Sequence, residues 1–349
     1  MLRPYMNECA EHDGRVAVIG ISRHRLLTDG EGVTSLVGLS GCPLRCRYCL
    51  NSQCWFYDDA WRRYSPRELY DLLRCDDLYF RATGGGVTFG GGEPLLHVGF
   101  ISRFREVCGD AWRISVETSL NVSSDDVVRI MSVADDLIVD VKDMNADIYS
   151  DYTQVDNARV IENLRLLADS GWADRIIVRT PLIPSYNTAS DVNESVRQLQ
   201  SMGFKRIDRF KYLPRIAWFA ERTRRSDADS GTRTDKHSAS STGCSASSVD
   251  NSALLVDRSV SSVGHLASSV DNNMADVAPQ VKPDYGKAVC EVLRRIRQMV
   301  ASANDIDFLS HPCSHVTCAS GTCPVCESEA QFISKCLARK ERQGGKVVI

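Results

Sequence analysis

Residues 33–51 read VTSLVGLSGCPLRCRYCLN, a β-rich run that stops at Ser40-Gly41 and passes directly into three cysteines. Seven β-favouring and apolar residues bounded by a glycine predict a buried strand. The CxxxCxxC triplet of Cys42, Cys46 and Cys49 must then lie on the loop that leaves it. Working outward, further strand patterns fall at 86–90, 112–118, 136–142, 175–183 and 206–213, with helical patterns between them. Strand and helix in alternation predict parallel βα units. Six strands are too few to close an eight-stranded barrel, so the expected fold is α/β, a partial (β/α)6 barrel of the TIM type. The helices carry end signals: Ser65-Pro66-Arg67-Glu68 reads as a capping box with a first-turn proline, and Gly171 and Gly203 read as stops.

The length of 349 residues leaves room for more than this barrel. We expect the barrel over 12–222, a serine-rich and aromatic-poor insertion over 223–281, and a helix with a cysteine-rich tail over 282–349. The insertion repeats SSVDN at 247–251 and 268–272, and its composition cannot bury enough apolar surface to offset chain entropy, so it is expected to be disordered. The formal charge is −3, from 42 basic and 45 acidic residues, which gives no electrostatic footprint for nucleic acid. The first residues lack the continuous apolar stretch of a signal peptide, and no run approaches the length of a membrane span. The expectation is a soluble, cytoplasmic monomer. In a reducing compartment its 14 cysteines should be free thiols or metal ligands.

Structural zinc takes four protein ligands and a [4Fe-4S] cluster takes four thiolates, so three cysteines in one tight loop leave a position open. An open iron can hold a substrate or cofactor. The other reading is a zinc site whose fourth ligand lies elsewhere, and Cys54 is near enough in sequence to supply it. One βα unit later, GGGVTFGGGEP at 84–94 sets glycines on both sides of a strand. Glycines there let a ligand lie against the main chain. The segment lacks the Lys-Ser/Thr of a phosphate-binding loop and the strand-to-helix setting of a dinucleotide fingerprint.

A CxxxCxxC after the first strand, followed by GGE, resembles the radical S-adenosylmethionine (SAM) superfamily. DGEG at 29–32, GCPLRCRYCLN at 41–51, GGGVTFGGGEP and DVKDMN at 140–145 are similar to the activases of glycyl radical enzymes, such as those of pyruvate formate-lyase. The resemblance covers about 12–214 and implies a partial barrel of the radical SAM kind. It further implies that Cys42, Cys46 and Cys49 ligate three irons of a [4Fe-4S] cluster whose fourth iron is chelated by SAM. Tyr48 matches the aromatic position beside the adenine, and Gly91, Gly92 and Glu93 match the segment holding the methionine amino group. Glu117, Thr118 and Ser119 match the segment near the SAM ribose and carboxylate, joined by Asp140, Lys142 and Arg179. The last two are the expected catalytic residues. The implied chemistry is reductive cleavage of SAM to a 5′-deoxyadenosyl radical that abstracts hydrogen from a backbone glycine. The implied partners are a glycyl radical enzyme as protein substrate and a flavodoxin- or ferredoxin-type electron donor, in an oxygen-sensitive protein.

Two departures bear on the substrate: Glu31 replaces the usual proline of DGPG, and Leu213-Pro214-Arg215-Ile216 lacks the histidine of the usual LPYH. The alternatives are a radical SAM enzyme acting on a small molecule or peptide, similar to 7-carboxy-7-deazaguanine synthase, and a non-catalytic metal-binding adaptor. In the tail, Cys313, Cys318, Cys323 and Cys326 stand as CSHVTCASGTCPVC, a complete ligand set for [4Fe-4S] or zinc. Cys9, Cys75, Cys108, Cys244, Cys290 and Cys336 have no partner at ligand spacing and read as inert thiols.

Overall fold

The computed structural model describes residues 14–26, 29–55, 61–212, 285–310 and 321–349. The serine-rich insertion, Cys313, Cys318 and Arg215-Ile216 lie outside the described residues. Eight strands form one sheet: β1 (Val16–Leu26), β2 (Val33–Leu39), β3 (Arg63–Tyr64), β4 (Gly86–Gly91), β5 (Arg113–Thr118), β6 (Asp136–Asp140), β7 (Ile176–Leu182) and β8 (Arg206–Lys211). Their order is β3-β1-β2-β4-β5-β6-β7-β8, and every neighbouring pair from β2 to β8 is parallel. The six expected strands are all present, each within two residues of its expected ends. β2 is buried at all seven positions, as a strand covered on both faces should be.

Two strands were not foreseen. β1 runs antiparallel to β2 and carries β3 on its outer edge. Register shifts between Val18 and Gly20 and between Ser22 and Arg25 break the alternation of β1, so no period of two survives in its sequence.

Helices α1 (Pro66–Leu73) and α2 (Asp77–Thr83) lead into β4. Then α3 (Val98–Cys108), α4 (Ser124–Met131), α5 (Ala146–Thr153), α6 (Ala158–Asp169) and α7 (Ala189–Ser201) fill the later crossovers. At the start of α1, Ser65 Oγ accepts from Glu68 N and Glu68 accepts back from Ser65 N, the capping box read from sequence. One core runs between sheet and helices and includes Val37, Phe89, Phe104, Trp112, Val116 and Leu164, all nearly inaccessible.

Because β2 and β4–β8 are parallel, their C-terminal ends share one mouth, where ligands of such folds gather. The opposite end is held by the segment before β2. Glu31 lies 3.6 Å from Arg113 and 3.7 Å from Arg206, the first residues of β5 and β8. The departure at Glu31 therefore sits at the far end of the strands from the mouth.

Helices α8 (Tyr285–Ala303) and α9 (Pro324–Arg342) pack on each other and on the outside of the barrel. Val289, Leu293, Ile296, Ile333 and Leu337 form a second core with Leu78 and Tyr79 of α2 and Val33 at the start of β2. A polar tie reinforces it. Arg23 of β1 donates to Asp76 from Nε (2.9 Å) and Nη2 (2.6 Å), and its Nη1 reaches Glu327 of α9 at 2.7 Å. The fully buried Asp76 also meets His24 Nε2 at 2.8 Å and accepts from Ser35 Oγ at 2.9 Å.

Candidate active site

The cysteine loop is pinned at both of its sides. On one side, Gly92 N donates to Leu39 O and Glu93 N to Gly41 O, at 2.9 and 2.7 Å, so the end of β4 grips the end of β2. On the other, Arg45 N and Arg47 N donate to Thr153 O and Tyr152 O, both at 3.0 Å, at the end of α5. Glycine is required at the first grip. A Cβ on Gly92 would stand 2.1 Å from Gly41 O. One on Gly90 would stand 2.9 Å from Glu117 Oε2, so the missing side chain there leaves room for that carboxylate.

Glu93 joins β4 to β5. It is wholly buried, and its two oxygens accept from Leu95 N, Thr118 Oγ1, Ser119 N and Ser119 Oγ at 2.6–3.2 Å. Four donors occupy the lone-pair directions of a carboxylate, and burial still pushes its pKa above the usual range. Glu93 thus acts on the mouth through the Gly91-Gly92 backbone and the Thr118-Ser119 turn that it holds.

Beside it runs a line of buried charge. Arg179, in the middle of β7 and 4% exposed, donates from Nη1 to Glu117 Oε1 at 2.5 Å, and its Nη2 lies 4.0 Å from Asp29. Asp29 in turn pairs with Arg25. Burial alone would lower the pKa of Arg179, but Glu117, Asp140 and Asp29 together raise it above the ordinary value. Asp140 closes β6, and Lys142 two residues on donates to it from Nζ at 3.1 Å. Lys142 also exerts an attractive field on the Cys46 and Cys49 thiols.

The thiols differ in setting. Cys46 packs among Leu44, Tyr152 and Ile183, and burial pushes its pKa up to about 12. Cys54 is 1% exposed and packs against Cys42, and the nearby Cys42 and Cys49 thiols together with burial push its own pKa up. Its hydrogen bond to Cys49 is the main cause of a Cys49 pKa lowered to about 7. Among the described residues, no three His, Cys, Asp or Glu side chains are already gathered closely enough to hold a single metal ion. Polar atoms are also buried here: Asn51 Oδ1, Gln53 Nε2 and Trp55 Nε1 find no hydrogen-bond partner.

Tyr48 stands within an aromatic group that the sequence did not disclose. Its ring is 5.5 Å from Tyr186, 6.2 Å from Tyr152 and 6.3 Å from Tyr212, the last nearly parallel. The Tyr212 hydroxyl donates to the Tyr48 carbonyl. These partners come from α5, from the loop after β7 and from the end of β8, so no local motif links them.

The mouth therefore brings together Cys42, Cys46, Cys49, Tyr48, Gly91, Gly92, Glu93, Glu117, Thr118, Ser119, Asp140, Lys142 and Arg179. Cys323 and Cys326 lie apart from it, at the start of α9.

A family model described as the radical SAM superfamily matches residues 36–199. The pyruvate formate-lyase-activating enzyme of Listeria monocytogenes serovar 1/2a is 31% identical over 181 residues, covering 49% of this chain and 69% of that protein. The chain belongs to the radical SAM superfamily. Pyruvate formate-lyase 2-activating enzyme of Escherichia coli (strain K12) is 27% identical over 240 residues, covering 57% of this chain and 81% of that protein. The 4-hydroxyphenylacetate decarboxylase activating enzyme of Clostridioides difficile (strain 630) is 26% identical over 239 residues, covering 51% and 74%. The radical SAM match runs from β2 to α7 and excludes α8 and α9. Membership implies a [4Fe-4S] cluster and SAM. Among the described residues, no helix is long and apolar enough to cross a membrane.

Proposed function

We propose that this chain cleaves SAM reductively at a cluster held by Cys42, Cys46 and Cys49, and that it installs a glycyl radical on a partner protein. The observation that carries this reading is the grip of the Gly92-Glu93 backbone on the start of the cysteine loop, which holds the three thiols beside a glycine-lined wall. The donor set supports the cluster. A cuboidal cluster asks for one thiolate per iron, spaced around it and not gathered at one point, and thiolates are its usual ligands. The buried Asn51 Oδ1 and Gln53 Nε2, without partners within the protein, suit a polar ligand beside the loop.

When bound, the reduced cluster supplies the electron that splits SAM into methionine and a 5′-deoxyadenosyl radical. The chain's own residues position that chemistry. Gly91 and Gly92 offer main-chain carbonyls to the amino group, in a position fixed by Glu93. Thr118 and Ser119, fastened by the same carboxylate, would border the ribose. Arg179 brings a permanent cation to a water-poor wall, with Glu117 orienting it, and serves the SAM carboxylate. Tyr48, braced by Tyr152, Tyr186 and Tyr212, offers a face for the adenine, and Lys142 balances thiolate charge beside Asp140.

The relatives named as activating enzymes support a protein substrate. So does β8, which among the described residues is exposed along most of its length. A flavodoxin- or ferredoxin-type protein would supply the electron. The test is electron paramagnetic resonance of purified glycyl radical enzymes incubated anaerobically with the iron-loaded chain, reductant and SAM. A doublet that collapses to a singlet when the partner carries α-deuterated glycine is expected. Consumption of SAM with no such signal across the panel would overturn the assignment of the partner.

A further inference from the structure

Three successive backbone carbonyls lead into Cys42, those of Leu39, Ser40 and Gly41, and each accepts a hydrogen bond from the segment 92–97. Gly92 N donates to the first at 2.9 Å and Glu93 N to the third at 2.7 Å. The middle one is met by a side chain. His97 Nε2 stands 2.7 Å from Ser40 O, across 57 residues of sequence. A carbonyl can only accept, so Nε2 carries the proton and donates. Both residues are sealed from water, Ser40 at 0% and His97 at 1% exposure. The N–H groups of the same stretch are spent elsewhere: Ser40 N donates to Ala17 O of β1, and Gly41 N to Cys54 O beyond the third cysteine.

His97 is firmly mounted for this reach. It ends a single 3-10 turn, Pro94–His97, whose start is capped by the Glu93 carboxylate accepting from Leu95 N. Leu95 before it and Val98, Phe100 and Ile101 after it are buried in the main core, where α3 begins. A donor carried on a backbone anchored at both sides fixes the group it holds. Leu39 and Gly91 form the last pair of the β2–β4 ladder, so the three carbonyl bonds extend the grip of one strand on the other into the cysteine loop. We infer that His97 is a positioning residue, whose bond to Ser40 fixes the register of the cysteine loop against the glycine wall. Its consequence for turnover rests on the proposed SAM chemistry, and its consequence for cluster retention rests on membership of the family. Without the imidazole the buried Ser40 carbonyl loses this donor, and a buried acceptor left unpaired is costly enough to turn the backbone toward another. Ser40 stands two residues before Cys42, so the first cluster ligand turns with it.

The test compares His97→Leu, His97→Gln and His97→Asn in the full-length, anaerobically iron-loaded chain. Glutamine carries an amide nitrogen about as far out as imidazole Nε2, whereas asparagine stops a methylene short. His97→Leu should release iron to a chelator about 10–100-fold faster than the wild type, the usual cost of losing a group that orients a metal ligand. The g-values of its reduced cluster in electron paramagnetic resonance should shift as well. His97→Asn should follow it, while His97→Gln should stay within about threefold of the wild type and keep the wild-type g-values. SAM cleavage should fall in the same order. The contrast of Gln with Asn stands even if His97→Leu fails to fold. Wild-type iron release and g-values in His97→Leu or His97→Asn overturn the inference, as does iron loss from His97→Gln equal to that from His97→Leu. A wild-type chain that keeps its cluster but leaves SAM intact counts against the proposed function, and the same order of iron release then still upholds the role of His97.

Discussion

Replacing Asp76 by asparagine is expected to lower the unfolding free energy by about 3–5 kcal/mol, the usual cost of breaking a buried ion pair from one side. Asp76 is fully buried and receives Arg23, His24 and Ser35. Burial works against its ionisation, yet the charges and hydrogen bonds of His24 and Arg23 outweigh it and hold its pKa well below the usual carboxylate range. The sign of the pH effect follows. A depressed folded pKa contributes stability above the unfolded value of about 3.9, and this is lost as pH falls from there toward the lower folded value. Urea unfolding between pH 3 and 7 should therefore show the wild-type chain losing stability steeply at the acid end, and Asp76→Asn losing less. Arg23 also holds Glu327, so hydrogen exchange in α9 should quicken in the variant. Equal stabilities at pH 7 would contradict this role.

Arg179→Met is the second large effect. It removes the cation facing the half-buried Glu117 and near Asp29, so that Glu117 loses its arginine while Asp29 keeps Arg25. A stability loss of about 3–5 kcal/mol is expected, together with a fall in SAM cleavage of about 10²–10³-fold. A double variant separates the two. Adding Glu117→Gln removes one orphaned charge, so thermal unfolding should recover in part while SAM cleavage stays low. Recovery of both together would reduce Arg179 to a structural partner of Glu117. Arg179→Lys keeps the charge but not the planar fork and should fall between the two.

How much of this was legible depended on whether the signal was local. The 33–39 run and its successors β4 to β7 carry their burial in their own composition, and the Ser65–Glu68 capping box is closed within four residues. Most of the candidate residues sit at or just beyond strand ends, and parallel strands bring those ends together. Arg179, charged in mid-strand, reads as pointing into the barrel or pairing with an acid, and it pairs with Glu117. β1 escaped because its bulges erase alternation. The tyrosine group around Tyr48, the Arg23–Asp76–Glu327 tie and the meeting of His97 with Ser40 join residues from separate elements. No window of sequence contains them. Glu93 shows the opposite limit: its motif was visible, but only the fold shows that its carboxylate is occupied by four internal donors.

The central claim is tested most directly by measuring the 5′-deoxyadenosine and methionine that the anaerobically iron-loaded, chemically reduced chain releases from SAM. Equal amounts of both from the wild-type chain are predicted, with release falling to background in Cys46→Ala. A fully loaded wild-type chain that releases neither product, or a Cys46→Ala chain that cleaves SAM at the wild-type rate, would contradict it.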